Sequence, residues 1–247
     1  MKPYARVFIW LLAGALVLPG AALAQEGEGL AYHYSPKFAD SAALQRGARD
    51  FMNYCSGCHT LKYMRYSRLS GDLHIPDKLV QRDLDFTGAK LLAPMDNAMP
   101  KASATEWFGK APPDLSLIAR YRGPSWVYSY LLTYYVDPSS STGVNNTTFP
   151  GTAMPFPLWR LQGWQTPVYG KHADGERYVK SLTLQQRGSM SPQQYRRFVG
   201  DIVTFLAYVS EPNHNQRVSL GVKVVIYLVV FLILAYFLKR EFWKDVH

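Results

Sequence analysis

The chain is poor in the residue types on which many functional assignments depend. Only two of its 247 residues are cysteine, Cys55 and Cys58, so a disulfide would have to join these neighbours and would destroy the motif they form. A structural zinc site needs further ligands at paired spacing, and the six histidines are scattered. The net charge is +9, but no run of Lys or Arg is longer than two residues, which excludes a nucleic-acid-binding footprint. There is also no internal repeat.

The two cysteines stand in the segment Cys55-Ser56-Gly57-Cys58-His59. This CxxCH pattern is the attachment signal for a c-type haem, because each thiol adds to one haem vinyl group and the adjacent imidazole becomes the proximal iron ligand. A thioredoxin-like dithiol would need a βαβ setting, which the flanking sequence does not show. The sequence therefore predicts one covalently bound haem c, held by Cys55, Cys58 and His59.

The N-terminus has the pattern of an export signal. Lys2 and Arg6 form a basic start, residues 7–18 are apolar, and Ala22-Leu23-Ala24 is a small-residue cleavage site. The apolar run is too short to cross a bilayer core of about 30 Å. We predict that residues 1–24 are a signal peptide and that the mature chain starts at Gln25.

A second apolar segment, residues 219–238, is long enough to span a membrane as a helix. The basic residues Lys239, Arg240 and Lys244 follow it, which places a short tail, 239–247, on the cytoplasmic side. Residues 25–218 then form a periplasmic haem domain, in agreement with the export signal. The predicted location is the cell inner membrane, crossed once.

Helical patterns frame the haem domain. Ser41–Tyr54 is predicted to be a helix capped by Ser41, and a second helix is predicted to start at Ser191-Pro192 and to stop before Pro212. Gly47 and Phe51 on the first, with Phe205 and Tyr208 on the second, resemble the crossing helix pair of small cytochromes c. Residues 126–135 are a third helical candidate, and residues 62–111 are predicted to be irregular with short helices at most. The fold class is mainly α: a cytochrome-c-like helical haem domain with long loops and one C-terminal transmembrane helix.

The sixth iron ligand is open at this point. Met95, Met99, Met154 and Met190 remain after the methionines in the signal and near the haem motif are set aside, and Met99 and Met154 each precede a proline that would stiffen a ligand loop. Spacing alone favours Met154 over Met99 by a small margin.

The chain resembles the cytochrome c1 family, the membrane-anchored haem subunits of cytochrome bc1 complexes. The resemblance rests on CxxCH, on the PPDLS stretch in residues 111–120, on the FPG–MP loop in residues 149–157, and on residues 211–217 before the C-terminal anchor. It implies that Met154 is the second axial ligand, that Arg120 faces a haem propionate and that Pro112 packs on the ring.

The resemblance also implies a function. The chain would be a one-electron carrier of a quinol–cytochrome c oxidoreductase, with no substrate chemistry of its own. It would take electrons from a Rieske iron–sulfur protein and pass them to a soluble or membrane-bound cytochrome c. Its partners would be cytochrome b, the Rieske protein and membrane lipid, in a dimeric complex. The alternative is a stand-alone membrane-anchored cytochrome c that delivers electrons to a terminal oxidase.

Overall fold

The computed structural model describes residues 29–172 and 175–245. The predicted signal peptide, its cleavage site after Ala24 and the last two residues of the tail lie outside this part of the chain. The described elements, in order, are α1 Ser41–Tyr54, β1 Leu61–Arg65, α2 Tyr66–Leu73, α3 Asp77–Leu79 continuing into a π-helical turn Val80–Leu84, β2 Pro94–Met95, α4 Lys101–Phe108, α5 Ile118–Arg122, α6 Pro124–Leu132, β3 Tyr134–Val136, β4 Val144–Asn146, α7 Trp159–Gln162, β5 Gly163–Lys171, β6 Arg177–Arg187, α8 Pro192–Ser210 and α9 His214–Phe242.

The core is built on the crossing of α1 and α8. A Cβ atom added to Gly47 would lie only 2.1 Å from the backbone oxygen of Asp201 and 2.8 Å from the Cβ of Phe205, so only glycine permits this approach. The rings of Phe51 and Phe205 lie 5.8 Å apart beside the crossing. Tyr208 touches Phe205 and donates its hydroxyl proton to Asp72, 2.6 Å away. The predicted crossing pair is thereby confirmed.

The helix ends agree with the prediction at α8 and differ at α1. Ser191 caps α8 through a reciprocal capping box with Gln194, and the helix stops at Ser210, before Pro212. At α1 the cap is Asp40, whose carboxylate accepts from the amide of Ala43 at 2.9 Å, and Ser41 is already helical. The prediction of Ser41 as the cap is therefore wrong by one residue. Both side chains can cap a helix, and the position of the backbone turn decides between them.

Within the described residues, three two-stranded antiparallel sheets accompany the helices: β1–β2, β3–β4 and β5–β6. The predicted third helix ends at Leu132, and the chain turns into β3 at Tyr134. The sequence patterns did not predict the β5–β6 hairpin. Pro167 within β5 weakens a strand pattern, because proline cannot donate a ladder hydrogen bond.

The last helix, α9, has a continuous apolar stretch over residues 224–238, with charged residues on either side of it. It runs for 29 residues, and its most apolar stretch is not buried against the rest of the described chain. A helix of this length covers about 40 Å, more than the bilayer core of about 30 Å. It is the membrane anchor, and it encloses the predicted spanning residues 219–238.

Candidate haem site

A cavity of about 330 Å³ opens between the C-terminal end of α1, the loop before α5, helix α6 and the loop around Met154. Its walls are mostly apolar, with contributions from α8 through Ile202 and Leu206. All four residues predicted to attach the haem or bind its iron line it: Cys55, Cys58, His59 and Met154. Residues up to 99 positions apart in the chain therefore meet in one pocket.

The two cysteines and the histidine are presented by a tight turn at the end of α1. The amides of Cys58 and His59 both donate to the carbonyl oxygen of Cys55, at 3.1 and 2.9 Å. The Ser56 hydroxyl donates to the Met52 carbonyl at 2.7 Å and ties the turn to the helix. Burial raises the pKa of the Cys55 thiol to about 12 and also raises that of Cys58. A redox dithiol depends on a lowered thiol pKa, so the structure argues against that reading of the motif.

His59 is only 8% exposed, and its ring is fixed by the loop before α5. Its Nδ1 lies 2.8 Å from the carbonyl oxygen of Pro113, which can only accept, so Nδ1 carries the proton and Nε2 keeps its lone pair. Burial lowers the pKa of His59, and the hydrogen bond to Pro113 opposes this in part. The result is a neutral imidazole with a fixed tautomer, which is the form that binds iron.

Asp114 holds the Pro113 carbonyl in place. Its carboxylate accepts from the Thr60 hydroxyl at 2.6 Å and from the Lys62 amide at 2.8 Å, and also from the Ser116 amide at 3.0 Å. Burial acts to raise its pKa, but these hydrogen bonds outweigh burial and lower it. The Asp114 carboxylate therefore links two parts of the site. It connects the loop before α5, which orients His59, to strand β1, which follows His59 in the sequence.

Among the methionines that remained as sixth-ligand candidates, all of which the structure describes, Met154 alone lines the cavity. Met95 is buried in the β1–β2 pair opposite Leu61, and Met190 packs against the core. Met99 lies just before α4, where its amide donates to the Asn97 side chain. The geometry thus brings Met154 to the same pocket as Cys55, Cys58 and His59.

Comparison with known proteins agrees with this arrangement. The model of the cytochrome C1 family matches residues 33–166 and 188–246. The chain belongs to the cytochrome c1 family. The stretch between the two matched ones contains the second half of β5 and the whole of β6.

Individual relatives span most of the chain. A cytochrome c1 of Allochromatium vinosum is 44% identical over 94% of this chain and 96% of its own length. A protein of Nitrosomonas europaea named ammonia monooxygenase gamma subunit is 42% identical over 85% of this chain and 86% of its own length. The protein named cytochrome b/c1 of Bradyrhizobium diazoefficiens is 26% identical over the whole chain, which covers 41% of that relative.

Members of the cytochrome c1 family carry one covalently attached haem c, and this chain has the two cysteines required. The donor set of the cavity fits that group. It offers two thiols, an imidazole with Nε2 free and a thioether, within mostly apolar walls. The single cofactor expected from the sequence is thus confirmed at the level of the family.

The other two predicted haem-site residues, Pro112 and Arg120, differ in their position relative to the cavity. Pro112 lines the cavity, in keeping with a packing role. Arg120 and Arg122 are both exposed, but of the two Arg122 lines the cavity, with its guanidinium carbon 5.0 Å from the Trp126 ring and 5.9 Å from the Phe149 ring. Ile118 also lines the cavity, and the four-residue spacing to Arg122 puts both on one face of α5. The sequence alone does not show which face of α5 meets the cavity, so it did not indicate Arg122.

Proposed function

We propose that this chain is the one-electron carrier of a cytochrome bc1-type quinol–cytochrome c oxidoreductase, between a Rieske iron–sulfur protein and a cytochrome c. The observation that carries the proposal is the single cavity lined by Cys55, Cys58, His59 and Met154. In this proposal both cysteines attach the haem, and His59 and Met154 are its axial ligands. A methionine ligand raises the reduction potential of the haem, as is required of a carrier that acts late in an electron-transfer sequence.

The bound haem supplies a single site that gains and loses one electron. The protein's own residues do everything else. Burial keeps His59 neutral, the Pro113 carbonyl fixes the orientation of its ring, the apolar walls exclude water, and the Met154 loop closes the pocket. Arg122, already held over two aromatic rings, is placed to neutralise a propionate, and we propose it for this role in place of Arg120.

The proposed partners follow from the topology and from the relatives. The relative named cytochrome b/c1 supports cytochrome b as a partner, and we extend this to a dimeric complex in the inner membrane. The basic residues after the span support a cytoplasmic tail and a periplasmic haem domain. Purification in mild detergent tests this part: a b-type cytochrome and an iron–sulfur protein should copurify. Isolation of the chain alone, still able to reduce a terminal oxidase, would support the stand-alone carrier instead.

The ligand assignment is tested by Met154→Leu, with Met99→Leu as the matched control. Leucine keeps the volume of the side chain but removes the thioether sulfur. We expect Met154→Leu to lose the absorption band that marks a methionine-ligated ferric haem and to bind CO in the reduced state, while Met99→Leu keeps the native spectrum. A low-spin haem with an unchanged potential in Met154→Leu would refute the assignment.

A further inference from the structure

The loop that carries Met154 is tied to α6 and β3 by a chain of three hydroxyl groups. Tyr134 donates to the Tyr130 hydroxyl at 2.5 Å, and the Tyr130 hydroxyl lies 2.7 Å from Oγ1 of Thr152. Thr152 Oγ1 in turn accepts from the backbone amide of Met154 at 3.3 Å. The Tyr134 hydroxyl is also 3.4 Å from the Met154 carbonyl oxygen. The chain therefore reaches both backbone polar groups of the proposed ligand residue.

The tyrosine rings that carry two of these three hydroxyl groups are held in place by packing. Tyr134 is 1% exposed, and its ring stacks on Phe156 at 4.7 Å with an interplanar angle of 13°. Its backbone oxygen accepts from the Gln165 side chain at 2.8 Å, which joins β3 to the base of the hairpin. Tyr130 is fixed separately, because its ring stacks on Trp126 at 5.2 Å. The ring packing does not depend on the hydroxyl group in either tyrosine, so both hydroxyl groups can form hydrogen bonds that hold the Met154 loop.

We propose that Tyr130 and Tyr134 are positioning residues that hold the Met154 loop closed and so set the strength of the methionine–iron bond. The inference rests on the proposed function, in which Met154 is a ligand. Its physical basis is desolvation. A buried hydroxyl group that loses its hydrogen-bond partner finds no water molecule to replace it, so opening the loop costs the hydrogen bonds that the three hydroxyl groups make. Tyr130 and Thr152 line the cavity and Tyr134 stands behind them, so the chain acts from the protein side of the loop.

The predicted effect can be measured as competition by an external ligand. Imidazole can bind the ferric haem only when the loop is open. Its apparent affinity is therefore its affinity for the open form multiplied by the fraction of molecules that are open. Loss of one buried hydrogen bond should raise that fraction about tenfold, which corresponds to about 1.4 kcal/mol. Imidazole should therefore bind Tyr134→Phe about tenfold more tightly than it binds the wild-type holoprotein.

Three variants carry the test, each removing one hydroxyl while keeping the shape of the side chain: Tyr134→Phe, Tyr130→Phe and Thr152→Val. The matched control is Tyr128→Phe on the same helix, whose hydroxyl donates to the Arg196 carbonyl, away from the loop. All are made in the full chain with its haem attached. A second measurement is hydrogen exchange of the Met154 amide, which should be faster in the three variants and unchanged in the control. If Tyr134→Phe fails to assemble, the other two variants decide the matter.

Imidazole affinities that stay within twofold of wild type in the three variants overturn the proposal, as does an equal increase in Tyr128→Phe. Failure of the proposed function looks different: Met154→Leu would then keep its native ligation. In that case the amide exchange still reports whether the hydroxyl chain holds the loop, and unchanged exchange in the three variants refutes it.

Discussion

The crossing of α1 and α8 predicts an unusual response to Gly47→Ala. In most helices this substitution stabilises, because alanine is about 1 kcal/mol more favourable than glycine in a helix interior. Here the new Cβ would lie 2.1 Å from the Asp201 oxygen and 2.7 Å from its carbonyl carbon, well inside ordinary contact distance. Both atoms belong to the backbone of α8, so no side-chain rotation relieves the clash, and the helices have to move apart by more than about 1 Å.

The cost follows from what that movement disturbs. The Phe51–Phe205 contact lies beside the crossing, and Ile202 and Leu206 of α8 line the haem cavity. Overpacking of this kind costs about 1–3 kcal/mol or more, and the gain in helix propensity offsets part of it. We expect a net destabilisation of about 1–2 kcal/mol, or roughly 2–8 °C in the unfolding midpoint of a domain of this size.

The assay is thermal or denaturant unfolding of the detergent-solubilised holoprotein, followed through the haem absorption. Gly71→Ala is the matched control, because Gly71 lies within helix α2 and has open space where its Cβ would be. That variant should be unchanged or more stable by up to about 1 kcal/mol. The close-approach argument is refuted if Gly47→Ala is as stable as Gly71→Ala.

Two further predictions concern charged groups beside the cavity. The lowered pKa of Asp114 contributes stability that is present above the carboxyl group's unfolded pKa and is lost as the pH falls through the lower, folded pKa; acid unfolding below about pH 4 should therefore be less steep in Asp114→Asn, and an unchanged acid limb would contradict this. Removal of a positive charge near the haem favours the ferric form, so Arg122→Gln should lower the midpoint potential measured by redox titration. Arg120→Gln serves as the control, and a larger decrease in it than in Arg122→Gln would restore the original assignment.

Some of the molecule could be predicted because the determining residues are close in sequence. The CxxCH turn is local, since its geometry depends on hydrogen bonds among residues 51–59. The helix α8 carries its own start and stop signals in Ser191, Pro192 and Pro212. The close approach of Gly47 to α8 was accessible only by resemblance, because no local rule names the partner of a helical glycine.

Other features depend on which way a side chain points once distant elements meet. Arg120 and Arg122 are equivalent by composition, and the face of α5 that turns toward the cavity separates them. The hairpin β5–β6 depends on pairing between strands whose alternation is broken by Pro167 and by two bulges. The contacts of Tyr130 with Thr152 and of Tyr134 with Met154 join residues 22 and 20 positions apart, and tyrosine in an apolar segment is ordinarily a core residue.

The same distinction explains how the cavity works. The proximal side is built from one turn and one short loop, so a single contact with the Pro113 carbonyl orients His59, and Asp114 ties that loop to Thr60. Met154 reaches the pocket on a loop far along the chain, and a loop on its own pays conformational entropy each time it closes. In the proposed function, the hydroxyl chain and the stack of Tyr134 on Phe156 would reduce that cost, because they would restrict the loop before Met154 bound the iron. An electron carrier benefits, since a ligand that stays in place in both oxidation states leaves little to reorganise when the electron moves.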